Sequence, residues 1–363
     1  MNVNEDAILW AYRLFLDREP ESDAVVQEQL AVFDSTQEVR WNFMRSDEFR
    51  EKAHPPGRAP VEQNPFFHYA ATFDPIELMR RHAVPNLLPT AGYLTNFLGV
   101  KIDPKFFPTI LTGREGEVEG IPIPANWHAD IAEWGTALRA IELSGDHFTM
   151  IELGCGWGCW MNNTGVVARA TGRSVRVIGV EGDEHHHRFA NESLATNGFS
   201  QHEISLHRGI ATAREGVALF PKQEIPGGAW GSEPVFNASE DQRAKAVSSG
   251  LFDELPMVPL SQVIGVNTIN LLHIDIQGGE ADLVQECIEL LNEKVAYMLI
   301  GTHSKQIEGR LYETLLAAGW QLEMERAAIF DISNGKPHVR VDGVQGWRNI
   351  RLLPENSVAR ARV

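Results

Sequence analysis

The sequence predicts an α/β protein built on a doubly wound, mostly parallel sheet, with a small helical domain ahead of it. Three observations predict this. From Thr149 onward, short apolar runs alternate with amphipathic stretches, the pattern of a parallel sheet carrying helices on both faces. The run Ile151-Glu152-Leu153-Gly154-Cys155-Gly156-Trp157-Gly158 reads as a strand ending in a turn with glycine at every second position. Glycine there lets the backbone bend sharply and approach a ligand closely. A second apolar run, 175–180, ends in Glu181, a carboxylate suited to the diol of a ribose.

The elements follow in order. Ile8, Leu9, Tyr12, Phe15 and Leu16 recur at helical spacing, and Arg18-Glu19-Pro20-Glu21-Ser22 breaks the run. Val25, Val26 and Leu30, then Val39, Phe43 and Phe49, predict two more short helices. Residues 1–55 are therefore expected to form a small helical domain. The segment 54–60, with adjacent prolines and a glycine, cannot continue a helix and reads as a linker. Residues 56–145 are expected to be linker and helical extension over the cofactor edge. Within them Asp74 and Pro75 start one helix and 129–143 forms another.

The main domain spans 146–353, with strands expected at 149–153, 175–180, 203–207, 269–276 and 295–301. Helices are expected from Cys159 to Ala170 and from Glu280 to Leu291. Residues 221–258 are too long for a plain connection and read as a lid or binding loop, or else a disordered insertion. The stretch 320–353 reads as strand and hairpin closing the sheet antiparallel, and 354–363 as a frayed tail.

Composition bounds the function. At 363 residues with 43% hydrophobic and 22% charged, the chain can bury a large core. A net charge of −17, from 49 acids against 32 bases, opposes nucleic-acid binding and docking on anionic lipid. Three cysteines, Cys155, Cys159 and Cys287, make no disulfide framework. Cys155 and Cys159 are expected to pack behind the glycine turn. The first residues lack a signal-peptide pattern and no apolar run is long enough to span a bilayer, so the cytoplasm is the expected location and no membrane insertion is expected. His185-His186-His187 is unconvincing as a metal cluster, because consecutive helical residues point in different directions and one ion cannot take all three. A divalent metal activating a hydroxyl through Asp275 is chemically possible, but the sequence offers no convincing second and third ligand, so no metal site is expected.

The glycine turn discriminates between cofactors. A dinucleotide fold needs a third glycine at the position held by Cys159. G-x-G-x-G with Glu152 two residues before it instead looks like the first motif of S-adenosylmethionine-dependent methyltransferases. The turn Gly209-Ile210-Ala211, after a third strand, would lie beside the adenine in that family. Further on, His273, Asp275 and Gln277 alternate with Leu272, Ile274 and Ile276. Asp275, at the strand's carboxyl end, faces the crevice, and a charge there needs a partner or a job. His273, earlier in the strand, has a hydrogen-bonded core histidine as its alternative. His303 follows the next strand, where it can reach a substrate hydroxyl and titrate near neutrality, or cap the following helix.

The motifs Ile151 through Gly158, Val180-Glu181-Gly182-Asp183, Leu260-Ser261-Gln262-Val263-Ile264, His273 through Glu280, and Asp342-Gly343-Val344-Gln345-Gly346-Trp347-Arg348-Asn349 together resemble the FkbM-type methyltransferases over residues 120–353. Two features depart from the family. His273 stands where lysine is common, and an aromatic Gly-Trp-Gly-Cys-Trp replaces the usual small, polar turn. The N-terminal stretch resembles a small bacterial helical domain of uncharacterised role. The resemblance implies an S-adenosylmethionine-dependent O-methyltransferase acting on a glycan sugar or a secondary metabolite. Cofactor contacts are expected from Glu152, Gly154, Cys155, Gly156, Trp157, Gly158, Glu181, Gly182, Gly209, Ile210, Ala211 and Asp275. Asp275 or His303, with His273 as a further candidate, would act as base or orienting group. Trp127, His128, Trp230 and Gln277 would meet the acceptor. A small-molecule or glycan partner is expected, no nucleic acid, and a homo-oligomer is compatible. The rival readings are a catalytically inactive cofactor-binding sensor or scaffold, and a nicotinamide-dependent oxidoreductase, which Cys159 disfavours.

Overall fold

The computed structural model of the chain describes residues 3–46, 48–49 and 64–354. Two compact units divide it, Met1–Pro65 and Phe66–Val363. The expected linker at 54–60 and the tail beyond Pro354 lie outside the described residues.

The first unit holds α1 (Glu5–Leu16), α2 (Asp23–Val32) and α3 (Thr36–Arg45). The Asn4 side chain accepts from the Ala7 N–H at 2.9 Å and so caps α1. Asp17, at φ 47°, ends that helix in the left-handed region. Ile8, Tyr12, Leu16, Val26, Val39 and Phe43 form its core, with the Tyr12 and Phe43 rings edge to face at 4.9 Å.

The second unit is built on one eight-stranded sheet: β1 (Ala70–Ala71), β2 (His147–Leu153), β3 (Ser174–Glu181), β4 (Ile204–Arg208), β5 (Leu271–Ile274), β6 (Tyr297–Thr302), β7 (Gln321–Arg326) and β8 (Gly343–Arg348). Its order is β1-β7-β8-β6-β5-β2-β3-β4. Strands β4, β3, β2, β5 and β6 run parallel, while β8 inserts antiparallel between β6 and β7. The fold is therefore a doubly wound, mostly parallel α/β fold, as the alternation predicts. Its helices include α4 (Pro75–His82), α5 (Ile131–Glu142), α6 (Cys159–Ala170), α7 (Glu184–Thr196), α8 (Glu280–Glu286), α9 (Ile288–Lys294) and α10 (Lys305–Ala317).

Both sheet faces are covered, which explains the near-continuous apolar strands. Leu272, Ile274, Met298 and Ile300 pack into the core of one face, and Leu271, Met150 and Leu299 into that of the other. Trp134 on α5 is fully buried and meets the rings of Phe97 and Trp160, each at 5.0 Å. Each Phe-sized side chain so buried stabilises the fold by about 1.5–3 kcal/mol. A buried ionic lattice ties α5 to the antiparallel strands. Glu323 takes Arg139 at 3.0 Å and Arg348 at 2.8 Å, and Arg326 pairs with Asp130, the N-cap of α5.

Four expectations change in detail. Strand β5 stops at Ile274, because the chain turns with Gln277 at φ 58° and Gly278 at φ 112°. The helix expected over 280–291 divides into α8 and α9 at Cys287. Between α4 and α5 the chain is mostly turns with a short two-stranded pairing of Leu94–Thr95 and Lys101–Ile102. Residues 221–258 are ordered. Strand Phe252–Pro259 lies between Gly216–Pro221 and Ile210–Thr212 in a separate three-stranded sheet, and helix Glu240–Ser248 leads into it.

Candidate active site

A cavity of about 910 Å3 lies at the carboxyl edge of the sheet, where α/β folds bind ligands. The glycine turn after β2 forms its floor. Gly154 has φ 73°, and a Cβ there would stand 2.0 Å from the Asp275 carbonyl oxygen. Only glycine lets the two strand ends approach so closely. At Gly156 the neighbour is the ring of Trp230, 2.6 Å from a built Cβ. The Trp230 ring is stacked between Phe107, at 4.0 Å, and His186, at 3.9 Å.

Glu181, at the end of β3, is 6% exposed and lines the cavity. Its Oε2 accepts from the Gly156 N–H at 2.7 Å and its Oε1 from the Asp183 N–H at 2.8 Å. Burial raises its pKa to about 7 despite those donors. Gly182, Gly209, Ile210 and Ala211 continue the wall toward Phe220 and Met257.

Asp275 enters from β5, its side chain 40% exposed. Gln277 donates to its Oδ1 at 3.0 Å, and His303 Nε2 stands 3.3 Å from the same oxygen. Burial alone would raise the Asp275 pKa, but His303 outweighs it and holds the carboxyl low. For His303, burial works against the cation. The neighbouring carboxylates of Asp275 and Glu280, 3.3 and 3.0 Å from its ring nitrogens, prevail and push it up to about 10.

Several expected residues sit elsewhere. Glu152 is 1% exposed, and its two oxygens accept from the Trp160 and Met161 N–H groups at 3.1 and 3.0 Å. It caps α6 from beneath the turn and does not line the cavity, and burial raises it to about 8. Cys155, Trp157 and Gly158 also face inward, away from the cavity, with Cys155 and Trp157 in the core. Cys159 lies 3.5 Å from His128 Nδ1 behind the turn.

His273 is a core histidine, 3.6 Å from Glu152, and burial lowers it to about 4. Its place below the strand end keeps it off the cavity wall. His303 stands behind Asp275 and not on the cavity wall, and its raised pKa departs from the expected near-neutral titration. Trp127 and His128 pack on Phe107, Trp134 and Trp157, so they reach the cavity only through Phe107 and Trp230. Of the expected acceptor contacts, Trp230 and Gln277 line it. The histidine triplet diverges as helical geometry requires, with His186 on Trp230 and His185 against Arg188 at 2.9 Å.

Asp183, Phe220, Met257 and Asp342 also line the cavity without having been named as site residues from the sequence, and so does His186, which the sequence raised only as part of the histidine triplet. Asp183 and Asp342 do lie inside the quoted motifs, which is the signal that could have found them. Charge is one-sided. Glu181, Asp183, Glu233, Asp275, Asp282, Glu286 and Asp342 line the cavity, and its one arginine, Arg214, is paired with Glu286 at 2.8 Å.

No family model matches the chain. A curated protein of Jannaschia sp. (strain CCS1), named "Putative methyltransferase", is 45% identical over 271 residues, covering 75% of this chain and 97% of that protein. The chain belongs to the methyltransferases. Among solved structures, the methyltransferase FkbM of Methylobacillus flagellatus KT is 13% identical, over 60% of this chain and 55% of that one, with a TM-score of 0.37. A precorrin-6y C5,15-methyltransferase from Geobacter metallireducens GS-15 is 10% identical, over 59% and 86%, with a TM-score of 0.32.

The methyl donor of this methyltransferase is S-adenosylmethionine. The cavity suits it on three counts: bare glycine backbone at Gly154, a carboxylate on the wall at the end of β3, Glu181, and an excess of carboxylates for a ligand that carries a sulfonium and an ammonium. Glu181 would hold the ribose, and Gly182 and Gly209 to Ala211 the adenine. Among the described residues no helix is long and apolar enough to cross a membrane.

Proposed function

We propose that this methyltransferase is an FkbM-type O-methyltransferase whose acceptor is a hydroxyl, on a sugar of a bacterial glycan or on a secondary metabolite. One observation carries the reading. The partly exposed Asp275 carboxylate stands beside the glycine turn, its carbonyl against Gly154, so one residue borders both the donor's seat and the open cavity. S-adenosylmethionine supplies an electrophilic methyl group on sulfur when bound. Asp275 accepts a hydrogen bond from the acceptor hydroxyl and aims its oxygen along the displacement axis. As the oxygen takes the methyl group it becomes strongly acidic, so even a carboxylate of low pKa takes the proton. Gln277 and Trp230 border the acceptor, an amide and an aromatic face of the kind that sugars use.

The test is Asp275→Asn. Calorimetry with S-adenosylhomocysteine is expected to show affinity within about threefold of wild type, while turnover on a hydroxyl acceptor drops by roughly 10²-fold or more. A fully active variant would remove Asp275 from this role.

A further inference from the structure

Glu280 is fully buried, and no step above uses it. It begins α8, and its Oε1 accepts from the Ile276 and Gly278 N–H groups, both at 3.1 Å, so it holds the left-handed turn through Gln277 and Gly278. The same Oε1 lies 3.0 Å from His303 Nδ1. The other ring nitrogen of His303 lies 3.3 Å from Asp275 Oδ1. The imidazole thus bridges two carboxylates, one buried and one facing the cavity. A neutral ring would set a lone pair against one of them; a ring protonated at both nitrogens attracts both. The turn's N–H groups already bind the buried Glu280 carboxylate, and the imidazole is the cationic partner beside it.

We propose that Glu280 and His303 are positioning residues for methyl transfer: Glu280 fixes the His303 ring, and the ring fixes the Asp275 carboxylate that meets the acceptor. Among the described residues both contacts on Asp275, from Gln277 and His303, fall on Oδ1, which leaves Oδ2 for the acceptor. His303 then acts as a fixed cation and not as the base. The charged groups that face it are Asp275, Glu280 and Asp342, whose Oδ2 is 4.0 Å from Nε2. Arg326 acts on Asp342 from the far side, and Lys305 and Glu308 on α10 pair with each other at 2.6 Å. The proposal rests on the assignment of Asp275 to the acceptor, and its test needs no acceptor.

The experiment is histidine ring NMR of the full chain between pH 6 and 10, with the His303 signal identified from the His303→Gln spectrum. Wild type is expected to show no His303 midpoint below about pH 9. Glu280→Gln is expected to lower the midpoint by roughly 1–3 pH units, the effect of one carboxylate at this distance, and Glu280→Asp to restore part of it. In His303→Gln the carboxyl midpoint of labelled Asp275, followed in a separate titration from about pH 2 to 7, is expected to rise by a similar amount. A wild-type midpoint below pH 8 overturns the proposal without any variant, and so does a Glu280→Gln midpoint equal to wild type. If the ring titrates as expected but Asp275→Asn turns over normally, the clamp stands and the acceptor assignment is what fails.

Discussion

Glu181 joins the glycine turn to the end of β3 from the wall of the cavity. Its oxygens accept from the N–H groups of Gly156 and Asp183, and the side chain lines the cavity. Burial raises it from 4.5 to about 7. A carboxyl raised in this way favours the fold most below pH 4.5, where it is protonated in both states, and that contribution is lost as pH rises through 7. Cofactor binding runs the opposite way, since ribose hydroxyls donate best to the ionised form. S-adenosylhomocysteine affinity is therefore expected to fall as pH drops below about 7, and Glu181→Gln to bind more weakly with a flatter pH profile. An unchanged affinity and profile in the variant would take Glu181 out of the ribose role.

At the scale of elements, the loop 222–238 carries the ring that covers the glycine turn. Trp230 is held by Phe107 and His186, from two other segments, and its Nε1 donates to the Gly227 carbonyl at 3.2 Å. Stacks of this kind contribute about 0.5–1.5 kcal/mol each beyond burial. Trp230→Ala is expected to weaken S-adenosylhomocysteine binding about tenfold while leaving the global unfolding midpoint nearly unchanged. Titration should also quench or shift fluorescence in wild type and not in Trp230→Phe. A ligand response that survives in Trp230→Phe would mean that the ring does not border the cofactor.

The whole molecule consists of a small helical unit with its own core and a larger unit that contains every residue of the cavity. We propose that residues 1–55 are a separable accessory module. Deleting them is expected to leave a soluble protein whose cofactor affinity is within about twofold of the full chain. An insoluble or non-binding product would refute separability. The negative charge of the chain, −17, has a local counterpart in the seven carboxylates of the cavity. Such a field favours a cationic donor over its neutral product.

What the sequence determined by itself was the periodic part. Alternating apolar runs named the parallel strands to within a few residues, and glycine spacing located the turn, because strand pairing and tight turns are set by near neighbours. Glu181 and Asp275 were legible because each ends a strand on the ligand edge. Tertiary structure alone decided which side of a short segment faces the ligand. Glu152 and Trp157 share the glycine motif yet face the core, since the helix that follows needs a cap and the aromatic cluster needs a filler. It alone brought His303 between Asp275 and Glu280, Asp342 beside His303, and Phe107 onto Trp230. Those contacts join segments far apart in the chain, and no local period encodes them.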